Sequence, residues 1–188
     1  MTTHPDLLDI ENSLLLVVDI QTKLVSVMPE SNAEDMLENG ARLIEAANLL
    51  NVPTLVTEQY PQGLGNTVDA ISAKLNSDTS RLEKTGFSCF SAVGFQNKLE
   101  SSTKKQIIII GQEAHVCVLQ TALELVQQGY QVHVVEDAVC SRKAENKFYA
   151  LQRMQAQGVT ISNFESVLFE WLKNSQHEHF PTIAGLLR

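Results

Sequence analysis

The sequence is poor in the residues that build disulfide frameworks and metal sites. Its 188 residues include three scattered cysteines, Cys89, Cys117 and Cys140, and no Cys-x-x-Cys pair. This odd number predicts free thiols in a reducing compartment rather than a disulfide-stapled secreted protein. None of the five histidines lies within residues 5–114, and the segment TEQYPQGLG, after the second predicted strand, has none. We therefore expect no metal site.

The sequence also lacks long apolar runs, an excess of positive charge and the glycine-rich motifs of nucleotide-binding proteins. Its longest apolar runs, LLLVV and IIII, are far too short to span a membrane. With 14 Lys and Arg against 22 Asp and Glu, the net charge of −8 would repel nucleic acids and anionic membranes. Neither GxGxxG nor GxxxxGK[ST] occurs, so no nucleotide cofactor is predicted. The N-terminus has no signal-peptide pattern, and we expect a cytoplasmic protein with a small-molecule substrate.

What the sequence does contain is a regular alternation of apolar strands and amphipathic helices. Ser31 with Glu34, and Ser162 with Glu165, predict capping boxes at two of the helix starts. The pattern predicts one α/β domain over residues 1–188. Its architecture is three-layer α/β/α with a six-stranded, mostly parallel, Rossmann-like sheet. The predicted strands are SLLLVVD, VPTLVT, SRLEKT, QIIIIG, QVHVVED and VTIS.

Three chemically useful side chains follow predicted strands. Asp19 ends the first strand, Lys84 follows the third, and Cys117 follows the fourth. In parallel sheets, functional residues collect at these carboxyl ends. Each residue also has an ordinary explanation: an aspartate that turns the chain, a solvated lysine and an inert cysteine. Together, however, they would supply a base, a charge stabiliser and a nucleophile.

Cys117 differs from the other two cysteines in its place on the predicted helix 116–128. At about 100° per residue, it projects among the polar positions, away from the apolar face where a structural cysteine belongs. The unpaired N–H groups of a helix start would also favour its thiolate. These features favour a nucleophile. Cys89 and Cys140 lack them and are predicted to be structural, and His115 ranks below Asp19 as the base.

Three segments, LLLVVDIQ, EKTGFSCF and GQEAHVCVLQTALELVQQGYQVHVVEDAVCSR, occur in this order and resemble the isochorismatase-like hydrolase superfamily, in particular its cysteine hydrolases. The resemblance implies that strands 1 and 4 are neighbours. It further implies a cis peptide between Gln112 and Glu113. The implied catalytic residues are Asp19, Lys84 and Cys117, the implied oxyanion hole is formed by the N–H groups of Glu113 and Cys117, and the candidate pocket residues are Gln59, Tyr60 and His115.

The function implied by this resemblance is hydrolysis of a small amide or related C–N bond through a thioester on Cys117. Nicotinamidases of the superfamily carry metal ligands that are missing here, and isochorismate-cleaving members can lack the cysteine that is present. Two alternatives stay open. One is an isochorismatase that cleaves a vinyl ether with Asp19 as the acid. The other is a non-catalytic binding or redox-sensing member.

Assembly is the last expectation from the sequence. Relatives in the superfamily commonly form oligomers. The predicted last long helix carries four large apolar residues, more than one face of a helix needs for its own core. We therefore expect a homo-oligomer. The four residues are Phe164, Leu168, Phe169 and Trp171.

Overall fold

The computed structural model describes residues 4–187 and contains one six-stranded sheet. Its order is β3-β2-β1-β4-β5-β6, and each neighbouring pair is parallel. The predicted fold class is confirmed, and the described sheet is parallel throughout. Strand order reverses between β1 and β4, the two strands that the resemblance made neighbours. The strands are β1 (Ser13–Val18), β2 (Thr54–Gln59), β3 (Ser80–Lys84), β4 (Gln106–Gln112), β5 (Gln131–Cys140) and β6 (Thr160–Ser162).

Helices cover both faces of this sheet. No described helix combines the length and apolar character of a membrane span. A short 3₁₀ turn at Cys89–Ser91 follows β3, and a π turn at Ala114–Val118 follows β4. The α-helices are α1 (Thr22–Val25), α2 (Glu30–Leu49), α3 (Pro61–Leu64), α4 (Asp69–Ser72), α5 (Phe95–Ser102), α6 (Leu119–Gln127), α7 (Ala144–Ala156), α8 (Phe164–Leu172) and α9 (Phe180–Gly185).

The central strand β1 shows why its sequence is apolar at every position. Leu15 and Val17 pack in one core with α2 and α8. Leu14, Leu16 and Val18 point to the other face and pack with α5, α6 and α7. Alternate residues of a strand point to opposite faces, so a strand covered on both sides must be apolar throughout. Each such side chain contributes roughly 1.5–3 kcal/mol when fully buried.

Both predicted capping boxes are wrong. Helix α2 begins at Glu30 after Pro29, so Ser31 lies inside its first turn and no side chain caps the helix. At α8 the cap is Asn163, whose side chain accepts a hydrogen bond of 2.8 Å from the Ser166 N–H. The extended backbone of Asn163 brings its carboxamide to that free N–H group, one residue later than Ser162.

The apolar residues of α8 serve the core of the chain itself. Phe164, Leu168 and Trp171 are buried, and the indole N–H of Trp171 donates to Ser13 Oγ at 3.0 Å. Of the four residues taken as interface surface, only Phe169 is exposed, at 42%. The inference from α8 was therefore wrong, because three of these four side chains pack in the core that α8 shares with α2 and the C-terminal α9. A homo-oligomer stays a prediction.

Gly111 is the point of closest approach between β4 and β1. Its φ is +120°, and a Cβ atom there would lie 2.0 Å from the carbonyl oxygen of Val18, its partner in the sheet. We expect Gly111→Ala to push the strands apart beside Asp19 and to lower the free energy of unfolding by more than about 3 kcal/mol. Urea denaturation would measure this loss.

Gly129→Ala is the matched control for this substitution. Gly129 also has a positive φ of +82°, but nothing lies within 4 Å of its added Cβ. We therefore expect Gly129→Ala to lower the free energy of unfolding by only about 1–2 kcal/mol, the cost of placing alanine in a left-handed backbone conformation. Equal losses of stability in the two variants would contradict the close contact at Gly111.

Candidate active site

The carboxyl edge of the sheet brings Asp19, Lys84 and Cys117 together. Lys84 reaches across β2 from the end of β3, and its Nζ donates to Asp19 Oδ2 at 2.6 Å with both side chains fully buried. Cys117 follows β4, is 6% exposed, and lies within the electrostatic influence of both charges. The three residues singled out at separate strand ends thus lie in one cluster.

Asp19 is held by contacts on both carboxylate oxygens. Its Oδ1 accepts a hydrogen bond from Thr57 Oγ1 at 2.8 Å, and its Oδ2 accepts one from Lys84. The backbone is held as well, because the Asp19 N–H donates to the Thr57 carbonyl and its own carbonyl accepts from the Gln112 side chain. Asp19 has φ +50°, a left-handed conformation that aspartate adopts more readily than most residues. The carboxylate is therefore fixed in orientation.

The ammonium of Lys84 is saturated by protein acceptors. It donates to Asp19 at 2.6 Å, to Gln59 Oε1 at 2.7 Å, and to the carbonyl oxygens of Phe87 and Gly86 at 2.9 and 3.3 Å. A protonated lysine has three N–H donors, so these four acceptors leave none for a substrate. Burial favours the neutral amine, but the charge and the hydrogen bond of Asp19 act in the opposite direction, and the pKa of Lys84 is raised. Lys84 is thus a fixed positive charge.

Cys117 lies in a π turn, which changes its surroundings from those predicted. Residues Ala114–Val118 form this turn before α6 begins at Leu119. The N–H groups of Val116 and Val118 donate to the Glu113 carbonyl at 3.0 and 3.3 Å, whereas the N–H of Cys117 between them does not. The wider turn invalidates an α-helical projection at this point, and Cys117 is buried in the core rather than on a polar face. Single π turns occur often at functional sites.

The polar side of α6 is also covered. Thr121 is buried and accepts a hydrogen bond from the Cys89 N–H at 2.9 Å, and Glu124 accepts one from Ser88 Oγ at 2.5 Å. The segment 88–91 therefore packs on the side of the helix that the projection exposed to solvent. A polar helix face can be buried where a loop supplies hydrogen-bond partners for it.

The pKa of the Cys117 thiol is shifted in the direction opposite to that predicted. Burial and the negative charge and hydrogen bonding of Asp19 raise the pKa of Cys117 to about 12, although the charge of Lys84 lowers it. The helix start does not dominate, because the thiol is buried and lies beside a carboxylate that is already paired with the Lys84 ammonium. In the free protein, Cys117 therefore keeps its proton next to a carboxylate acceptor.

A difference titration would test this protonation state. We expect the ultraviolet thiolate absorbance of the native protein, minus that of Cys117→Ser, to stay flat up to about pH 10 and to rise above it. Because the raised pKa favours the neutral thiol, the signal must appear on the alkaline side. A step below about pH 8 would instead support the thiolate predicted from the helix start.

The predicted oxyanion hole lies directly before Cys117. The Gln112–Glu113 peptide is cis, as the resemblance implied. Within residues 4–187, the backbone N–H of Glu113 has no hydrogen-bond acceptor. The Glu113 carboxylate accepts hydrogen bonds from the backbone N–H and Nε of Arg142 at 3.0 and 3.1 Å, which ties this turn to the end of β5. The oxyanion-hole roles of Glu113 and Cys117 stay predictions.

The three candidate pocket residues have different surroundings. Gln59 has both ends of its carboxamide bonded to the protein, through Lys84 and the Thr85 carbonyl. Tyr60 is more than half exposed and has φ +38°. The ring nitrogens of His115 lie 3.0 Å from Ser141 Oγ and 3.3 Å from Asn146 Nδ2, at the end of β5 and the start of α7. Tyr60 and His115 remain candidates, while the contacts of Gln59 indicate another role.

The sequence analysis missed two residues that shape this cluster, Thr57 and Gln21. Thr57 donates a hydrogen bond to Asp19. The buried carboxamide of Gln21 accepts a hydrogen bond from the Gln59 N–H and donates one to the Gln59 carbonyl. The signal for Thr57 was its spacing of two from Gln59, which places both on one face of β2. It could be used only once β2 was known to lie between β1 and β3.

Two other expectations concern thiols and metals. Cys89 and Cys140 are fully buried, and burial raises the pKa of Cys89 to about 11 and that of Cys140 to about 12, as expected of structural cysteines.

In the part of the chain that the structure describes, no three His, Cys, Asp or Glu side chains are grouped so that they could hold a metal ion. A cavity of about 700 Å³ beside α8 shares no residue with the cluster around Cys117.

Comparison with known proteins identifies the family. The model of the isochorismatase domain matches residues 13–166. The chain belongs to the isochorismatase family. It is 37% identical over 177 residues to isochorismatase family protein 1A of Dictyostelium discoideum, covering 93% of this chain and 85% of that protein. The predicted membership of the isochorismatase-like hydrolases is thereby confirmed.

Solved structures of this family share the fold. The MAR1 ribonuclease of Caenorhabditis elegans superposes with a TM-score of 0.90 at 36% identity, over 96% of this chain and 91% of that one. YcaC of Pseudomonas aeruginosa, solved with hexane-2,5-diol and covalent acrylamide, superposes with a TM-score of 0.88 at 25% identity, over 99% of this chain and 98% of that one.

Proposed function

We propose that this protein is a cysteine hydrolase that cleaves a small amide or a related C–N bond, with Asp19, Lys84 and Cys117 as its catalytic residues. The observation that carries the proposal is the buried cluster itself. A thiol lies beside a carboxylate whose two oxygens are held by Thr57 and Lys84. This is the arrangement of a nucleophile, its base and a group that orients the base.

The first half of the reaction forms a thioester. Asp19 takes the proton of Cys117 as Sγ attacks the carbonyl carbon, and the carbonyl electrons move to oxygen. The N–H groups of Glu113 and Cys117 stabilise that oxyanion. When the intermediate collapses, the C–N bond breaks, Asp19 returns the proton to the leaving nitrogen, and ammonia or an amine departs.

The second half regenerates the thiol. Asp19 takes a proton from water as the water oxygen attacks the thioester carbon. The new tetrahedral intermediate expels Cys117 sulfur, which recovers the proton from Asp19, and a carboxylic acid is released. In both halves Lys84 acts through its fixed charge, because its N–H groups are already committed to protein acceptors.

The charge balance of the cluster supports proton transfer within it. Moving a proton from Cys117 to Asp19 exchanges one negative charge for another beside the Lys84 ammonium. The buried site therefore never holds an uncompensated charge, which would be strongly unfavourable there. The raised pKa of Cys117 then describes the free protein and does not prevent attack, since the base that receives the proton is in place.

The similar proteins bear on the proposal in two ways. Acrylamide is an electrophile that adds to thiolates, and its covalent attachment in YcaC of P. aeruginosa supports a reactive nucleophile in this family. The similar C. elegans protein is named a ribonuclease, which makes RNA hydrolysis a second candidate. The net charge of −8 disfavours it, because RNA binding relies on contacts between cations and phosphates.

A parallel assay would separate these activities. A panel of small amides would be tested for ammonia or amine release, isochorismate for pyruvate release, and single-stranded RNA for cleavage, each with Cys117→Ala as the blank. We expect release from amides only, with hydroxylamine trapping the acyl group as a hydroxamate. Pyruvate release or RNA cleavage that persists in Cys117→Ala would overturn the thioester mechanism.

Three broader statements are part of the same proposal. We propose that residues 1–188 form one domain, that the protein is cytoplasmic, and that it forms a homo-oligomer. The family model supports the first, since it covers residues 13–166. Several large apolar side chains that are more than half exposed support the last, namely Val27, Tyr60, Phe87, Val93, Phe148 and Tyr149.

A further inference from the structure

The side chain of Gln59 lies against the lysine of the proposed catalytic cluster. Its Oε1 accepts a hydrogen bond from Lys84 Nζ at 2.7 Å, and its Nε2 donates to the Thr85 carbonyl at 2.7 Å. The carboxamide is thus used at both ends by the segment that carries Lys84. These two hydrogen bonds fix the orientation of the carboxamide relative to Lys84.

The backbone of Gln59 is fixed independently. Gln21 Oε1 accepts from the Gln59 N–H at 2.6 Å, and Gln21 Nε2 donates to the Gln59 carbonyl at 3.0 Å and to the Gly65 carbonyl at 2.6 Å. The Gln21 side chain is completely buried. It makes the hydrogen bonds to the Gln59 N–H and carbonyl that a neighbouring strand would otherwise make. The backbone of Gln59 is therefore held in place, and turning its side chain away from Lys84 would break the hydrogen bonds to Lys84 and Thr85.

The position of β2 explains this arrangement. It lies between β1, which ends at Asp19, and β3, which ends at Lys84. Thr57 and Gln59 are two apart and point to the same face, so Thr57 contacts Asp19 and Gln59 contacts Lys84. A neutral amide oxygen can hold the ammonium without adding a second negative charge that would compete with Asp19 for it.

We propose that Gln59 is a positioning residue, which aims the Lys84 ammonium at Asp19 and takes no part in binding the substrate. This inference rests on the proposed function in one respect, the catalytic role of the Lys84 charge. It replaces the expectation from the sequence that Gln59 lines the pocket. Removing its acceptor leaves the Lys84 ammonium with Asp19 and the carbonyl oxygens of Phe87 and Gly86, the last at 3.3 Å, and loosens the charge that stabilises the thiolate of Cys117.

Three variants test the inference. Gln59→Met removes the acceptor at nearly constant length, and Gln59→Glu keeps an acceptor but adds a charge. Gln62→Met is the control, the same substitution at an exposed glutamine of the neighbouring α3. The readout is the rate at which iodoacetamide alkylates Cys117 at about pH 9, followed by peptide mass spectrometry, since alkylation needs the thiolate but no substrate.

We expect Gln59→Met to alkylate about tenfold more slowly than the native protein, Gln59→Glu more slowly still, and Gln62→Met at the native rate. With an amide substrate, kcat should fall about tenfold or more in both Gln59 variants while KM stays within about threefold. Native alkylation rates in both Gln59 variants, or a raised KM with unchanged kcat, would overturn the proposal.

Two controls are built into the measurement. Cys89 and Cys140 are fully buried, so their labelling reports unfolding. If Gln59→Met labels them, the decision rests on Gln59→Glu, which retains the hydrogen-bond acceptor. If the native protein hydrolyses no amide but the alkylation rates fall as expected, the proposed function fails while the positioning role of Gln59 stands.

Discussion

Replacing Cys117 with alanine will lower amide hydrolysis by at least about 10,000-fold and leave the fold intact. In the proposed mechanism the thiol forms the covalent bond to the substrate carbon, and Cys89 and Cys140 cannot replace it, because both are fully buried and out of reach of a substrate. Loss of one sulfur atom from a buried site costs stability only on the order of 1 kcal/mol. Activity would be followed by ammonia release, and folding by circular dichroism during urea denaturation.

Cys89→Ala is the matched control for this experiment. Cys89 is as buried as Cys117, and its sulfur lies 3.6 Å from Thr57 Oγ1, one side chain away from Asp19. We expect it to retain activity within about threefold, because it makes no bond to the substrate. If Cys117→Ala turned over amides within a few-fold of the native rate, the thioester would be eliminated and vinyl-ether hydrolysis would become the better hypothesis.

Replacing Lys84 with methionine will affect both stability and activity. The ammonium is the partner of a fully buried carboxylate, so its loss leaves Asp19 unpaired in the core. We expect the free energy of unfolding to fall by about 3–5 kcal/mol, the usual effect of breaking a buried ion pair on one side. Activity should fall about 1,000-fold, since the positive charge of Lys84 would no longer stabilise the thiolate and the oxyanion.

The double variant Asp19→Asn/Lys84→Met separates these two effects. Without either charge, the buried pair is replaced by neutral groups, and the introduced carboxamide would still offer Thr57 an acceptor in place of Oδ1. We expect much of the lost stability to return while activity stays absent, because the base is gone. Stability losses that simply add in the double variant would show that the two side chains do not act as a pair.

Much of the fold could be predicted from the sequence because its signals are local. The continuous apolar run before Asp19 predicted a strand covered on both faces, and β1 is packed in this way. Helix α5 also follows from a local pattern, since its sequence FQNKLESS places Phe95 and Leu99 one turn apart, and both are buried. Helix caps were harder, because the choice between Ser162 and Asn163 depends on the backbone angle at which the chain enters the helix.

The residues of the candidate site could be predicted from the sequence, but their burial and pKa shifts could not. Asp19, Lys84 and Cys117 were recognised by their places after strands, which the sequence alone determined. Whether Cys117 is exposed or buried depended on a π turn and on the loop packed over α6, neither of which has a local signature. The pKa of Cys117 is raised by burial and then by Asp19, which is distant in sequence.

By itself, the sequence determined the strands, the free thiols and the reactive residue types at the strand ends, since apolar periodicity and residue chemistry are properties of short segments. The tertiary structure decided how those residues face one another. Strand order placed β2 between Asp19 and Lys84, which gave Thr57 and Gln59 their partners. Hydrogen bonds and charge interactions act through space, so residues far apart in the chain set the orientation and protonation of the site.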